Sequence, residues 1–357
     1  MRSGPVASIE ILGSGRIDEN ESAFPQGIQL PNGDLLCSYS NAGADSASGG
    51  TSWSRSTDGG LTWVQEGEIL PRSEEPLATN FLKLSLSPDG RTIYAYGARS
   101  YAQPGTRFGD ERATEAIFCT STDGGHHWSA PSVIPMRSSA LEISHGILPL
   151  RSGRLLAPAA TIPPGRLGEQ VVVAVSDDGG RSWPRDVVAM QDPQGRLGYF
   201  EQKFAELAPD RVIASAWTVT LADVEDTTNS FTQSMDGGLT WTQPQSIGTR
   251  GQTITVVPYD GDRVMLLYNR RYGDQGIVMA LAQITEQDWP IAFEGLMYDA
   301  KARREGRLRA DGVEEMSDFK FGFPTATRLQ DGTYLATNWS KEGGRCGIRW
   351  TRLRVTW

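Results

Sequence analysis

Two glutamates, Glu142 and Glu201, are the side chains in this sequence best placed for acid–base chemistry. Glu142 is followed by His145 and Glu201 by Lys203, and either residue could shift the pKa of the glutamate carboxyl. A nearby cation lowers the pKa of a carboxylate. Two carboxyl groups about 5–5.5 Å apart cleave a glycosidic bond with retention, and a pair about 6.5–9.5 Å apart does so with inversion. Glu201, Glu142 and His145 are therefore candidates for catalytic residues, and it stays open which glutamate is the nucleophile and which the acid/base.

A second set of residues combines aromatic rings with amide, ammonium and guanidinium groups. Aromatic faces stack on the C–H surfaces of a sugar ring, polar groups fix its hydroxyls, and arginine suits an anionic substituent. These residues are predicted to bind a carbohydrate substrate: Asn80, Arg99, Gln202, Lys203, Trp217, Gln252, Arg270, Arg271, Tyr272, Phe323 and Trp339.

The elements that must position these residues are indicated by a repeated turn. The pattern Ser-x-Asp-Gly-Gly-x-x-Trp occurs at residues 56–63, 121–128, 176–183 and 234–241, with successive aspartates 55 to 65 residues apart. The aspartate can bond nearby main-chain amides, the glycines can adopt positive φ and the tryptophan can pack between neighbouring sheets. This spacing suits one four-stranded blade of a β-propeller per repeat.

A second type of turn, rich in Asp, Asn and Gly, gives the number of blades. It occurs six times, near residues 31–34, 88–91, 151–154, 209–211, 260–262 and 330–332. We predict an all-β protein, a single six-bladed β-propeller over residues 1–357 with four-stranded antiparallel blades. The N-terminal strand near residues 8–12 is expected to complete the last blade, because closing the ring removes its exposed edges.

The two turn types also predict which face of the propeller carries the site. If the strands of a blade are lettered A to D from the axis outward, the Asp/Asn/Gly turns join A to B and the Asp boxes join C to D. Antiparallel alternation places both sets of short turns on one face. The opposite face carries the starts of the A strands and the longer B–C loops, where binding residues are expected.

Asp boxes on a six-bladed ring resemble the sialidase superfamily, and the resemblance covers essentially the whole chain. The expected Arg-Ile-Pro of the first inner strand is replaced by Ala-Phe-Pro at residues 23–25, and the expected second arginine falls at Ala-Trp, residues 216–217. The position of the nucleophilic tyrosine holds Phe323, whereas the glutamate that partners it matches Glu201. Asp45 could match the acid/base aspartate. The resemblance therefore implies the fold, without ordinary hydrolysis of sialic acid.

The arrangement of carboxylates also resembles exo-arabinanase-type six-bladed propellers, which use two glutamates from blades three and four. Glu142, just before the third inner strand, and Glu201, at the start of the fourth, occupy comparable places. This resemblance implies a glycoside hydrolase that acts on an oligosaccharide or a sugar-acid glycoside through a carboxylate pair.

Two alternatives remain open. The first is a sialidase-like or polysaccharide-lyase-type enzyme on an acidic sugar, in which His145 or Tyr272 acts as the base and Arg270 or Arg271 neutralises a uronate. The second is a carbohydrate-binding propeller without catalysis.

Composition narrows the range of partners and cofactors. The net charge of −9 argues against nucleic acid and anionic membranes, and no apolar run approaches the ~20 residues that span a bilayer. Neither metal-ligand spacing nor a phosphate-binding glycine loop is present, so no metal and no cofactor is predicted. The first residues lack the apolar stretch of a secretory signal, which favours a cytoplasmic protein, or a secreted or periplasmic one whose leader has been removed. The oligomeric state stays open.

Overall fold

The computed structural model describes residues 6–42, 49–101, 114–304 and 319–357. Its regular elements are β-strands, which form six antiparallel sheets. The prediction of an all-β, six-bladed propeller with four-stranded antiparallel blades is confirmed. Within the described residues, no helix is long and apolar enough to cross a membrane.

The blades are numbered I to VI in chain order, after an N-terminal strand β1 (Ser8–Asp18). Blade I contains β2 (Ala23–Gln29), β3 (Leu35–Ser40), β4 (Thr51–Ser56) and β5 (Val64–Leu70). Blade II contains β6 (Ser73–Glu74), β7 (Leu77–Leu86), β8 (Ile93–Ser100), β9 (Thr114–Ser121) and β10 (Ser132–Ile134). Blade III contains β11 (Leu141–Glu142), β12 (Leu148–Pro149), β13 (Leu155–Thr161), β14 (Val171–Ser176) and β15 (Arg185–Met190). Blade IV contains β16 (Leu197–Ala208), β17 (Arg211–Thr220), β18 (Ser230–Ser234) and β19 (Gln245–Ser246). Blade V contains β20 (Gln252–Asp260), β21 (Arg263–Arg270), β22 (Gly273–Gln283) and β23 (Ile291–Arg304). Blade VI contains β24 (Phe321–Arg328), β25 (Tyr334–Glu342) and β26 (Arg345–Thr356), together with β1.

The ring is closed by pairing between the two ends of the chain. Strand β1 lies antiparallel beside β26, from Ser8 opposite Thr356 to Asp18 opposite Ile348, and is the outermost strand of blade VI. The innermost strands meet around the axis, with β2 between β7 and β24, and β20 between β16 and β24. Because the first and last strands share one blade, the N-terminal segment holds the ring shut.

The core lies between the faces of neighbouring blades. All six residues of β14, Val171–Ser176, are buried, and both of its faces contact apolar clusters. A strand that is covered on both faces favours a continuous apolar run over strict alternation, which explains the Val-Val-Val-Ala-Val sequence of this strand. The three cysteines, Cys37, Cys119 and Cys346, are free and buried within the same layers.

The Asp boxes form the C–D turns on one face, as their sequence predicts. In the first box, Ser56 Oγ donates to Asp58 Oδ1 over 2.8 Å, and the Gly60 N–H donates back to Ser56 Oγ over 2.9 Å. Gly60 has φ +97°, in the region that favours glycine. The Trp63 indole N–H donates to the Gly60 carbonyl over 3.0 Å. These turns set the direction of the strands whose opposite ends carry the candidate site.

The inner strand of blade III departs from the regular pattern. It consists of two short pieces, because Leu141 pairs with Thr161 and Leu148 pairs with Leu156, while the residues between them lie outside the ladder. This interruption directly follows Glu142. Blade III therefore presents main-chain groups next to Glu142 that an uninterrupted strand would have used in pairing.

Candidate functional site

The inner strands of four blades share a bulge near their starts. Phe24, Glu201, Thr253 and Phe323 have φ between +49° and +55°, and the pairing register shifts at each of them. A non-glycine residue at positive φ is strained, and such residues cluster at functional sites. The bulge gives the four side chains equivalent positions in blades I, IV, V and VI.

Glu142 and Glu201 meet across the junction of blades III and IV. The main-chain N–H of Glu201 donates to Glu142 Oε2 over 3.0 Å, and the Ser144 hydroxyl donates to the other oxygen, Glu142 Oε1. The Thr253 hydroxyl, from blade V, donates to Glu201 Oε2. The structure thus brings together the two glutamates that the sequence singled out.

The surroundings of Glu142 favour its protonated form. Burial raises the pKa of Glu142, and the negative charge of Glu201 raises it further, whereas the Ser144 hydroxyl and the ammonium of Lys83 act in the opposite direction. Burial disfavours an ionised carboxyl, and a like charge nearby does the same. A carboxyl group whose pKa is raised in this way is suited to donate a proton.

Two buried lysines flank this carboxyl pair. Lys83 Nζ donates to the Ile143 carbonyl over 2.7 Å, and Lys203 Nζ donates to the Ser144 carbonyl. Burial lowers the pKa of Lys83 well below its usual range and that of Lys203 to about 7. The ammonium of Lys203 lies 3.5 Å from the ring centre of Phe323, and that of Lys83 lies 5.6 Å from it. The aromatic ring partly offsets the loss of hydration that burial imposes on these cations.

His145 lies in the interruption of blade III, three residues after Glu142. Its Nδ1 is 2.7 Å from the Gly146 carbonyl oxygen, and its ring lies 6.1 Å from that of Phe204. Burial lowers the pKa of His145 to about 4, and the charge of Lys203 contributes to this. The imidazole is therefore neutral near pH 7.

A second polar cluster joins blades IV, V and VI. The Trp217 indole N–H donates to Asp226 Oδ1 over 2.6 Å, and Gln252 Nε2 donates to Asp226 Oδ2 over 3.1 Å. Arg271 donates to Gln252 Oε1 and, over 2.5 Å, to the Phe321 carbonyl. Burial raises the pKa of Asp226 and lowers that of Arg271 to about 10, so Arg271 stays charged at neutral pH. The charge of Glu201 acts on Arg271, which links this cluster to the carboxyl pair.

Tyr272 and Arg250 extend the second cluster at the blade V entrance. The Tyr272 hydroxyl donates to the Arg250 carbonyl, and the guanidinium carbon of Arg250 lies 5.0 Å from the Tyr272 ring centre. Burial raises the pKa of Tyr272. Tyr272 is thus a hydrogen-bond donor at neutral pH and a poor base.

Aromatic rings line the junction of blades I, II and VI beside the lysines. The ring of Phe24 lies 5.5 Å from Phe323, 5.9 Å from Phe81 and 6.4 Å from Trp339. Such separations are typical of edge-to-face and tilted aromatic contacts. Phe323 and Trp339, two of the predicted substrate-binding residues, therefore lie in one aromatic group.

Other predicted residues have partners away from the carboxyl pair. Asn80 accepts from the Thr51 hydroxyl over 2.7 Å and donates to the Pro71 carbonyl, which ties blade II to blade I. Arg99 donates to Glu115 on the neighbouring strand of its own blade. Their assignment as substrate-binding residues stays a prediction.

Arg270 and Gln202 differ in their surroundings. Arg270 donates to the Asp274 carbonyl and lies 3.6 Å from Glu294, on the outer part of blade V. Gln202 is fully buried next to Glu201, and both polar atoms of its side chain lack a hydrogen-bond partner among the described residues. Gln202, which follows Glu201 in the sequence, therefore has unused hydrogen-bonding capacity. Asp45 lies outside the described residues.

Sequence reasoning missed Lys83 and Thr253 as parts of the predicted site. Lys83 stands two residues after Phe81, as Lys203 stands two after Glu201, and this shared offset in two inner strands was the available signal. Thr253 carries no such signal, because its role depends on the bulge that turns its hydroxyl toward Glu201. Within the described ranges, no group of three or more His, Cys, Asp or Glu side chains could hold a metal ion.

Comparison with known proteins places the chain among sialidase-like propellers, as the sequence resemblance implied. Residues 33–334 match the family described as BNR repeat-like domain. A sialidase of Micromonospora viridifaciens is 31% identical over an alignment of 208 residues that covers 52% of this chain and 31% of that protein. The chain thus aligns with about a third of this curated relative.

Solved structures show the same fold at low sequence identity. A Dyadobacter fermentans protein of unknown function has a TM-score of 0.73 and 21% identity, over 98% of this chain and 99% of that one. The α-L-arabinanase of Penicillium chrysogenum, solved with arabinobiose, has a TM-score of 0.63 and 15% identity, over 98% of both chains. At these identities the likeness extends to the fold alone.

Proposed function

The chain belongs to the BNR repeat-like domain family, and from that premise we propose that it is a glycoside hydrolase whose carboxylate pair is Glu142 and Glu201. The observation that carries this proposal is the contact between the two residues, in which Glu142 Oε2 accepts the main-chain N–H of Glu201 over 3.0 Å. Glycosidases of most types need two carboxyl groups that flank the scissile bond. Glu142 and Glu201, from adjacent blades, are the proposed pair.

The different surroundings of the two carboxyls suggest different roles. Glu142, whose pKa is raised by burial and by the charge of Glu201, is the proposed general acid that protonates the leaving-group oxygen. Glu201, which accepts from the Thr253 hydroxyl, is the proposed nucleophile or base. A carboxyl group whose pKa is raised by its surroundings is suited to act as a general acid.

The rest of the site supports this assignment. Phe323 has no hydroxyl and cannot form a covalent glycosyl intermediate, so the carboxylates are the proposed catalytic groups. Trp217 and Gln252 both donate to Asp226, and Arg271, on which the charge of Glu201 acts, donates to Gln252. We propose that Trp217, Gln252 and Arg271 bind the sugar. Arabino-oligosaccharides are the first substrates to test, because a structural neighbour is an α-L-arabinanase solved with arabinobiose.

Substrate screening with matched glutamate variants tests the proposal. The wild type and Glu201→Gln are incubated with arabino-oligosaccharides, a sialyl-oligosaccharide and a polyuronate, and reducing-sugar release is measured. Glu206→Gln is the control, because Glu206 lies on the same strand and bonds Arg151 and Asp210 at the opposite end. We expect Glu201→Gln to lower kcat by about 10²–10⁴-fold and Glu206→Gln to leave it near the wild-type value. Turnover by Glu201→Gln at the wild-type rate would overturn the assignment.

Polysaccharide lyase is the second candidate function, and one observation favours it. Arg271 keeps its charge at neutral pH, with a pKa of about 10, and its Nε has no hydrogen-bond partner among the described residues, so it could neutralise the carboxylate of a uronate. A lyase product contains a new carbon–carbon double bond and absorbs in the ultraviolet. Ultraviolet absorbance that rises with a polyuronate, while arabino-oligosaccharides stay intact, would favour this alternative over hydrolysis.

A further inference from the structure

A closed ring of hydrogen bonds joins the inner parts of the six blades. At four junctions a hydroxyl donates to a main-chain carbonyl of the next blade. These bonds run from Ser38 to Leu82, Ser215 to Ile254, Thr255 to Pro324, and Thr325 to Pro25, over 2.6 to 3.3 Å. A short neutral side chain is therefore sufficient to bridge a junction of this propeller.

The two junctions that flank blade III use lysines instead. Lys83 bridges blades II and III through the Ile143 carbonyl, and Lys203 bridges blades IV and III through the Ser144 carbonyl. Both lysines are nearly or completely buried, at 0% and 2% exposure. Burying an ammonium group is costly unless the group has a specific role or partner, so the use of lysine at these two places requires an explanation.

The two lysines act on the same short segment from opposite sides. Ile143 and Ser144 directly follow Glu142, in the interruption of the inner strand, where the ladder does not hold the chain. A long side chain reaches these displaced carbonyls. Ser144 in turn donates its hydroxyl to Glu142 Oε1. The lysines therefore bond, from two blades, to the main chain that follows Glu142, and Ser144 of the same segment donates to the Glu142 carboxyl.

We propose that Lys83 and Lys203 are positioning residues that clamp the Glu142 segment from both neighbouring blades and supply positive charge beside its carboxyl. This inference rests on the proposed function, because it gives Glu142 a catalytic role. Phe323 supports the clamp through its ring, which faces both ammonium groups. The position that holds the nucleophile in sialidases would then serve as a platform for cations.

The titratable groups around Glu142 come from three blades. Lys83 and Tyr96 belong to blade II, Glu201 and Lys203 to blade IV, and His145 to its own segment; the charge of Glu142 acts on both lysines and on Tyr96. Tyr96 and His145 are neutral near pH 7, since burial raises the pKa of the first and lowers that of the second. The charges of Lys83 and Glu201 act on the pKa of Glu142 with opposite signs.

Substituting each lysine by methionine tests the clamp, because methionine keeps the apolar stem and removes the charge and the donor. The variants are Lys83→Met and Lys203→Met, with Lys203→Arg as the conservative substitution. Ser38→Ala is the matched control, because it removes an inter-blade hydrogen bond at a junction away from blade III. The first readout is the pH profile of kcat/KM with an arabino-oligosaccharide as the substrate. The second is the titration of the Glu142 carboxyl by NMR of the ¹³C-glutamate-labelled protein, assigned with Glu142→Gln.

We expect each methionine variant to lower kcat by about 10- to 100-fold, because a misplaced catalytic group loses rate steeply. We also expect the pKa of Glu142 to rise by about one pH unit when a cation is removed, since an opposite charge nearby lowers a carboxyl pKa. The general acid is active while protonated, so the alkaline limb of the pH profile should move to higher pH. Lys203→Arg should restore part of the rate, and Ser38→Ala should leave both readouts unchanged.

Two outcomes separate failure of the clamp from failure of the proposed function. If the folded methionine variants keep the wild-type rate and the wild-type Glu142 titration, or lose rate without any change of the titration, the clamp is wrong. If Glu142→Gln and Glu201→Gln hydrolyse the substrate at the wild-type rate, the proposed function is wrong. In that case the NMR titration still tests whether the lysines act on Glu142. Should Lys83→Met fail to fold, Lys203→Met and Lys203→Arg decide the question.

Discussion

At the scale of single residues, the site depends on side chains that hold one another in buried surroundings. Arg271 is 5% exposed, and its guanidinium bridges blade V to blade VI through the Phe321 carbonyl. A neighbouring glycine, Gly322, determines how much space the Arg271 side chain has. A Cβ atom on Gly322 would lie 2.6 Å from Arg271 Nη2 and 3.0 Å from Trp339 Nε1. Gly322 therefore leaves space for both side chains.

Gly322→Ala should displace the Arg271 guanidinium and weaken its hydrogen bonds. We expect a loss of about 1–3 kcal/mol in the free energy of unfolding, typical of an overpacked core, and a KM raised about 10-fold because Arg271 is a proposed sugar-binding residue. Gly27→Ala is the control on the inner strand of blade I, where the nearest atoms to an added Cβ lie at 3.7 Å. Denaturant unfolding and steady-state kinetics measure both effects. Equal behaviour of the two variants would show that Arg271 is not held in this way.

Some of the residues of the candidate site could be predicted from the sequence, and others could not. Glu142 and Glu201 were identifiable because both fall at the starts of predicted inner strands. Lys83 was missed because Leu82-Lys83-Leu84 has the pattern of an ordinary strand, and its burial depends on the neighbouring blade. The contact between Glu142 and the Glu201 main chain likewise requires three-dimensional information, since 59 residues separate the two.

At the scale of secondary-structure elements, the Asp-box turns at one end of the blades are held by local hydrogen bonds, and the bulges at the other end position residues of the candidate site. In the Asp box of blade III, Asp178 accepts from the Ser176 hydroxyl and from both the N–H and the hydroxyl of Ser182. These bonds lower the pKa of Asp178 to about 2. The boxes were predictable because each depends on neighbours in the sequence. The bulges at Glu201 and Thr253 were not, because a positive φ at a glutamate or a threonine has no counterpart in the sequence, unlike the glycines of the turns.

Asp178→Ala tests the stabilising role of an Asp box. The folded-state pKa of Asp178 lies below its usual value of 3.8, so its stabilisation is present above about pH 4 and is lost as the pH falls through 2. We expect the variant to melt ~2 °C below the wild type at pH 7, with the difference closing near pH 2. The control is Asp177→Asn, because Asp177 pairs with Arg154 and Arg185 at the surface. Salt should remove the effect of the control and preserve that of Asp178→Ala. A pH-independent Tm difference for Asp178→Ala would contradict the account.

At the scale of the whole molecule, the ring depends on one pairing between its ends. The number of blades was predictable from six repeats of a turn motif. The turn motifs do not indicate the break in the inner strand of blade III. Strand β1 covers the outer edge of β26, and Ile9 and Ile17 are buried on it. Without β1, the long strand β26 would expose its main-chain hydrogen-bonding groups, which promotes aggregation.

Deletion of residues 1–18 should therefore yield an aggregating protein, whereas a circular permutant that joins this segment after Trp357 through a short linker should fold. In the permutant β1 still pairs with β26, so the ring stays closed. Size-exclusion chromatography and circular dichroism of the two proteins provide the comparison. A monomeric, fully folded deletion variant would show that the pairing of β1 is dispensable for closure.

The central claim is that Glu142 and Glu201 act together as general acid and nucleophile or base, and leaving-group dependence tests it most directly. The rates of Glu142→Gln and the wild type are compared on an arabino-oligosaccharide and on the 4-nitrophenyl glycoside of the same sugar. A 4-nitrophenolate leaves without protonation, whereas a sugar alcohol requires a proton from the acid. The account predicts a loss of about 10²–10⁴-fold on the oligosaccharide and a small loss on the 4-nitrophenyl glycoside. Equal losses on both substrates, or none on either, would contradict it.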